Sequence, residues 1–318
     1  MKTNTILSKT IAPAVAILLC GAALHAQTAT FVNTGTTADG AGELFVAFHA
    51  TANQGVGESI VIDLGAVSTY AAVPIGGTLN FSAAPGHNVG SDLSTAFGST
   101  WYNRTDLLWS AVSGVQSTVP STSTDFTSTL YGSVANPTYN SGVGPSGTAW
   151  NRSTNGTQNP IAQNIVQNMA TGTGGFTSAP QGATSNIAVE SSSLGNNYAT
   201  WMPGGANVSG SGNTPFKGFG ATGFEQTFGS TTLPSGVEGA LDVFRMDRSN
   251  ATDPEASPTT GTGPGSYQFT LTIDVNGNIS GAVLPVPEPA SICLLVTGGL
   301  LFLVSRRRGT GASTATVG

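Results

Sequence analysis

The stretch "SYQFTLTIDVNGNISGAV", residues 266–283, constrains the fold more than any other part of the chain. Tyr267, Phe269, Leu271, Ile273 and Val275 alternate with Gln268, Thr270, Thr272 and Asp274, the period of a strand with one face on a core. Asn276 and Gly277 follow, and both tolerate the positive φ that a tight hairpin turn demands, so residues 279–283 read as the return strand. Upstream, "GALDVFRMDR" puts Leu241, Val243 and Arg245 on one face and Phe244 and Met246 on the other. It reads as a further strand, joined to the hairpin by the loop "SNATDPEASPTTGTGPG".

A similar pair stands near the start of the body. "GELFVAFHA" and "ESIVIDLG", linked by "TANQGVG", are almost continuously apolar, as strands covered on both faces are. "SDLSTAFG" predicts a short helix with Ser91 as N-cap and Gly98 just past its end. "TDLLWSAVSGVQ" fits helix or strand. "NPIAQNIVQNMATG" predicts a helix, with Asn159 capping, Pro160 in the first turn and Ile161, Ile165, Val166 and Met169 on one face. Residues 113–235 are rich in Gly, Ser, Thr and Asn, and segments such as "STVPSTSTD" and "GGANVSGSGNTP" read as surface loops. The expected architecture is mainly β: sheet packed on sheet, with short helices and long Gly/Ser/Thr-rich loops.

Only 8% of the 318 residues are charged, while 39% are hydrophobic, enough for a packed core. Lys2, Lys9, Arg306, Arg307 and Arg308 are five of the ten basic residues, which leaves five basic against all 16 acidic side chains between Gln27 and Pro289. A body this acidic repels phosphates, so nucleic acid is not expected as a partner. Cys20 and Cys293 sit in the first and last apolar runs, so the body between has neither a disulfide nor a thiolate metal site. Packing and hydrogen bonds, or oxygen-ligated cations, must hold it.

The N-terminus has the three parts of a secretory signal: Lys2 and Lys9, an apolar run over residues 11–24, and Ala26 before a mature start at Gln27. Ile17, Leu18 and Leu19 precede Cys20, and Leu stands where a lipobox requires a small side chain. At the other end, Pro285, Pro287 and Pro289 alternate, holding "LPVPEP" extended. An uncharged apolar run then begins at Ala290 and ends at Val304. As a helix it would be about 22 Å long against a hydrocarbon core of ~30 Å, a gap that snorkelling and bilayer thinning close. Arg306, Arg307 and Arg308 follow as a stop-transfer cluster on the cytoplasmic side.

Pro287-Glu288-Pro289, a short apolar span and an arginine cluster together resemble the PEP-CTERM sorting signal of exported Gram-negative proteins. The resemblance implies an exosortase in the inner membrane as the partner that acts near the motif and passes the protein to the cell surface or beyond it. It covers the segment from Pro285 on, and the polar tail after Arg308 is longer than the family usually shows. The implied organisation is a signal peptide over 1–26, a secreted mainly β body over 27–284, a sorting and anchor segment over 285–308, and a cytoplasmic tail over 309–318. Signal peptidase, the Sec translocon and the inner membrane are implied partners, with extracellular polysaccharide a further candidate. "LPVPEP" lacks the Thr and Gly of a Gram-positive cell-wall signal, and a eukaryotic lipid-anchor signal would end in its apolar tail.

Catalytic signals in the body are thin. His25 leaves with the signal peptide, and neither His49 nor His87 has a His or Cys partner at zinc spacing. "GPSGT" and "GSGN" miss the spacing of a serine esterase elbow. Glu43, Glu58, Asp63, Asp106, Glu190 and Glu238 could supply paired carboxylates for sugar hydrolysis only if the fold brought two together. "DVNGN" starts like a calcium loop but has Ile279 and Pro285 where that loop needs Gly and Glu. "DRSNATDPE", with Asp247, Asp253 and Glu255, reads as a solvated loop. Trp101, Trp109, Trp150 and Trp201 could stack on sugars or lie in the core. The expectation is an exported surface or matrix protein without catalytic residues, metal or cofactor. The rivals are a carbohydrate-binding or adhesive module and a secreted polysaccharide hydrolase.

Overall fold

The computed structural model describes residues 28–32, 42–67, 70, 73–82, 88–115, 128–139, 158, 161–162, 165, 187–190, 198, 224–230, 232–247 and 265–285. The strands are β1 (Thr28–Val32), β2 (Glu43–Ala50), β3 (Ser59–Ala66), β4 (Thr78–Ser82), β5 (Leu107–Gly114) and β6 (Leu130–Ala135). They continue with β7 (Ile187–Glu190), β8 (Gln226–Thr227), β9 (Gly239–Met246), β10 (Ser266–Ile273) and β11 (Ile279–Ala282). The helix α1 (Val89–Phe97) precedes a 3-10 turn, Trp101–Asn103.

The protein is mainly β, as the alternation predicts. The expected pair of sheets is replaced by one strongly curled sheet of 11 strands, ordered β1-β4-β11-β10-β9-β6-β5-β2-β3-β7, with β8 on β5. All its pairings are antiparallel except β1 with β4. The reason for one sheet lies in the strands. The apolar faces of β2, β3, β5, β9 and β10 join β4 and β11 in a single core cluster on the concave side, so curling buries that face without a second sheet. Phe48 stacks on Trp109 at 5.9 Å between ring centres, and Phe228 packs against both.

The convex side is covered as well. Phe45, Ala47, Val61, Val112, Phe244 and Met246 form a second cluster with Ile161, Ala162, Ile165, Tyr198 and Phe224. Residues 158, 161, 162 and 165 are helical, and the buried Ile161 and Ile165 agree with the predicted apolar face; the other residues of that prediction lie outside the described ones. The segments "STVPSTSTD" and "GGANVSGSGNTP", expected as loops, lie outside the described residues, but the Gly/Ser/Thr/Asn-rich range 113–235 also holds a strand that was not expected. Six of those residues form β6, buried in the middle of the sheet between β5 and β9.

Described residues outside the strands pack on the core at both poles. At one pole Val67 and Tyr70, between β3 and β4, join the concave cluster and Val73 packs against it. Tyr70 donates its hydroxyl to the Leu64 carbonyl and packs edge-on against Phe81 (5.3 Å) and Phe269 (5.7 Å). At the other pole lies α1, its buried Leu93, Ala96 and Phe97 turned to the concave core. Its cap is Asn88, whose side chain accepts from the Ser91 N–H at 3.0 Å, rather than Ser91 itself. Starting earlier brings Gly90 into the helix and against the β10–β11 turn, where only a residue without a side chain fits.

The antiparallel hairpin is confirmed, with a change of turn and of face. Asp274 N–H donates to Asn278 O at 3.1 Å, so three residues rather than two span the turn, and Gly277 (φ +79°) but not Asn276 takes a positive φ. A bulge between Tyr267 and Phe269 shifts the register of β10 on β9, so Tyr267 leaves the concave face and packs against Phe244 instead. Val275 lies past the strand's end, in the turn, and is exposed.

Candidate functional site

The sorting residues Pro287, Glu288 and Pro289, the run from Ala290 to Val304, the cluster Arg306, Arg307 and Arg308, and the cleavage pair Ala26 and Gln27 lie outside the described residues. No helix among the described residues is long and apolar enough to cross a membrane. The structure does describe the platform to which both end segments attach. β1 begins at Thr28 and β11 ends at Ala282, and both residues are paired in register with Thr78 of β4. β1 runs parallel to β4 and β11 antiparallel to it. The chain therefore enters and leaves the sheet at the same pole, two strand spacings (about 10 Å) apart.

The exit is fastened. Val283 extends the pairing: Gly76 N–H donates to its carbonyl at 2.7 Å, and its own N–H donates to Gly77 O at 3.0 Å. Leu284 N–H donates to the Tyr267 hydroxyl at 3.3 Å. That hydroxyl lies 2.8 Å from Thr270 Oγ1, which donates to Asp242 Oδ1 at 2.7 Å; Asn136 Nδ2 donates to the same oxygen at 3.0 Å. Burial pushes the Tyr267 phenol up to about 12, with the Asp242 charge adding to it and the two hydrogen bonds working against it.

A second polar group sits under the convex layer. His49 Nε2 lies 2.8 Å from Glu225 Oε1, and the Tyr198 hydroxyl donates to the same oxygen at 3.3 Å. The Tyr198 and Ser110 hydroxyls are hydrogen-bonded to each other, and the His49 ring meets Tyr198 edge-on at 5.6 Å. Glu225 Oε2 is buried with no hydrogen-bond partner among the described residues. None of the four is more than 6% exposed, and Ser110 engages Tyr198 rather than His49, so this is not the order of a nucleophile and its base. What it does is tie β2 and β5 to the layer that covers them. Next to it, Gln226 Oε1 accepts from Trp109 Nε1 at 3.1 Å and from Ala240 N–H at 2.6 Å.

Spacing to His and Cys neighbours says nothing of this carboxylate, which comes to His49 from 176 residues away. One sequence signal does point to it: Glu225 is the only acid between Glu190 and Glu238, and it follows a Phe. His87 lies outside the described residues.

The other acids serve local structure. Asp106 is held by the Arg104 guanidinium (2.7 and 3.0 Å) and by Asn53 (2.8 Å), which brings its carboxyl down to about 2, the arginine hydrogen bond being the main cause. The same guanidinium donates to the carbonyls of Ala52, Gln54 and Phe97, pinning the β2–β3 loop to the end of α1. Asp63 accepts from Gly65 N–H at 2.7 Å, and Asp247 pairs with Arg245 at 3.0 Å. Burial, then the Asp274 charge, raises Glu238 above the usual carboxylate range. Glu43 and Glu58 are half-buried, Glu190 lies in β7, and Asp253 and Glu255 fall outside the described residues. Asp274 spends both oxygens on its own turn, accepting from Asn276 N–H, Asn278 N–H and Asn278 Nδ2, as the hairpin reading of "DVNGN" requires. No group of three or more His, Cys, Asp or Glu that could hold a metal occurs among the described residues.

Trp101 and Trp109 are buried at 1% and 0% exposure, in the concave core, which removes them as sugar-stacking platforms. Trp150 and Trp201 lie outside the described residues. No protein-family model, curated protein or solved structure matches this chain.

Proposed function

We propose that this chain is an exported protein of the cell surface or extracellular matrix, delivered through a C-terminal PEP-CTERM signal, with a β body that plays no catalytic part. Residues 1–26 would direct Sec export, and signal peptidase would cut between Ala26 and Gln27. The run of residues 290–304 would then arrest in the inner membrane, with Arg306, Arg307 and Arg308 held on the cytoplasmic side. An exosortase would act near Pro287-Glu288-Pro289. The observation that carries this reading is the order of the three features in the sequence: the Pro-Glu-Pro, the uncharged run and the arginine triplet.

The shared pole supports it. A body attached to lipid first through its signal peptide and later through its C-terminal span is least constrained when both attachments leave from one side. Thr28 and Ala282 do so. From Pro285 to Ala290 an extended chain reaches at most about 18 Å, so the anchored body would stand close to the bilayer.

Deleting residues 290–308 should move the protein from the membrane fraction to the soluble exported fraction. Replacing Pro287, Glu288 and Pro289 by alanine should leave it in the membrane, unprocessed. A deletion variant that fractionates like the parent would reject the proposal.

A further inference from the structure

Three large apolar side chains stand exposed among the described residues: Val56, Ile75 and Val275. Val56 lies in the β2–β3 loop and Val275 in the β10–β11 turn, both at the α1 pole. Ile75 is at the other pole, where the chain enters and leaves the sheet. Its exposure is built in. Gly77 N–H donates to Pro74 O at 2.8 Å, closing a four-residue turn, and Gly76 takes the left-handed third position at φ +84°. Ile75 is thereby set on the outer corner, 55% exposed, where turns usually carry proline or a small polar residue. Nothing lies within 4 Å of where a Cβ on Gly76 would point, so the corner faces away from the fold.

Two further observations bear on the surroundings of this corner. The turn is hydrogen-bonded to the exit strand through Gly76, Gly77 and Val283, so it is rigidly placed beside the segment that leads to the apolar run. No charged residue occurs between Asp63 and Asp92, although the body as a whole is acidic. An acidic surface is repelled by anionic headgroups, and an uncharged apolar corner can approach them at least cost.

We propose that the turn of residues 74–77 is a lipid-contacting element, with Ile75 and Pro74 entering the headgroup–acyl boundary next to the anchor and setting the α1 pole outward. One isoleucine would not hold a soluble protein on a bilayer. Tethered within a few residues of the span, it works at high effective concentration and needs only to orient the body. The inference rests on the anchor reading above.

The test uses the chain from Gln27 onward with Cys293→Ser and one new cysteine, either Ile75→Cys or Val275→Cys, each labelled with an environment-sensitive fluorophore. Both are reconstituted into phosphatidylethanolamine–phosphatidylglycerol vesicles. The label at 75 should show blue-shifted emission and be quenched by nitroxide-bearing lipids, while the label at 275 stays water-like and unquenched. Flotation of the vesicles reports the anchor separately. Protein that floats while both labels are equally water-exposed overturns the orientation and leaves the anchor standing. Protein that does not float overturns both. Protection of position 75 only when exosortase is added overturns the lipid contact in favour of a protein one.

Discussion

His49 and Glu225 meet at 2.8 Å beneath the convex layer, with side-chain exposures of 2% and 0%. Removing one member leaves a polar group buried without its partner, which typically costs about 1–3 kcal/mol. His49→Ala and Glu225→Ala should therefore each lower the urea midpoint sharply. The double variant His49→Ala/Glu225→Ala should lose less than the sum of the single losses. Additive losses in a double-mutant cycle would show that the pair does not act as a unit.

Gly90 and Gly277 give a prediction with an unusual sign. Glycine to alanine inside a helix ordinarily gains about 1 kcal/mol. At Gly90 the new Cβ would sit 2.2 Å from the Asn276 carbonyl oxygen, so Gly90→Ala should destabilise, by about 1–3 kcal/mol. Gly277→Ala meets the same contact from the other side and adds the strain of φ +79°. Gly236→Ala, at φ +84° with open space around it, isolates the strain alone, about 1–2 kcal/mol. Chemical denaturation should rank Gly277→Ala as the worst of the three.

Asp106 makes the fold acid-sensitive in a defined window. Its carboxyl titrates at about 2 in the folded protein against ~3.9 in an unfolded chain, so its contribution is complete above pH ~4 and is lost as the pH falls through 2. Asp106→Asn should flatten stability against pH between those values. Unchanged acid unfolding in this variant would show that the Arg104 pair contributes nothing there.

Tyr267 acts at the opposite extreme. Its phenol titrates at about 12 against ~10 when unfolded, so the stability it confers is intact below pH ~10 and declines as the pH rises through 12. Tyr267→Phe keeps the ring on Phe244 but drops the bonds to Thr270 and Leu284. It should cost about 1 kcal/mol at neutral pH and remove the alkaline steepening seen in denaturation curves.

Much of the sheet could be read in the chain, where periodicity was strong. β2, β3, β9 and the β10–β11 hairpin follow from alternation or continuous apolar runs. Leu241 and Val243 do face away from Phe244 and Met246. β6 was hidden because "LYGSVA" is short and half small residues, and only its neighbours β5 and β9 make it a central strand. Tyr267 changed sides through a bulge that no alternation pattern can announce. The curl also escaped, since it shows only in contacts such as those of Tyr70, which touches Leu64 of β3 and also Phe81 of β4 and Phe269 of β10, strands far from β3 in the sheet order. The polar group around Glu225 assembles residues from four distant stretches, and spacing along a chain carries no trace of such a meeting.

β11 is paired on both sides, with β10 and with β4, so the last strand before the exit of the chain is an interior strand rather than a margin. A pull along it from its C-terminal end would load two ladders in shear, sharing the force among many bonds at once instead of breaking them one by one. The fold thus resists force applied through residues 283–285 more firmly than it would if the chain left from a marginal strand that could peel away.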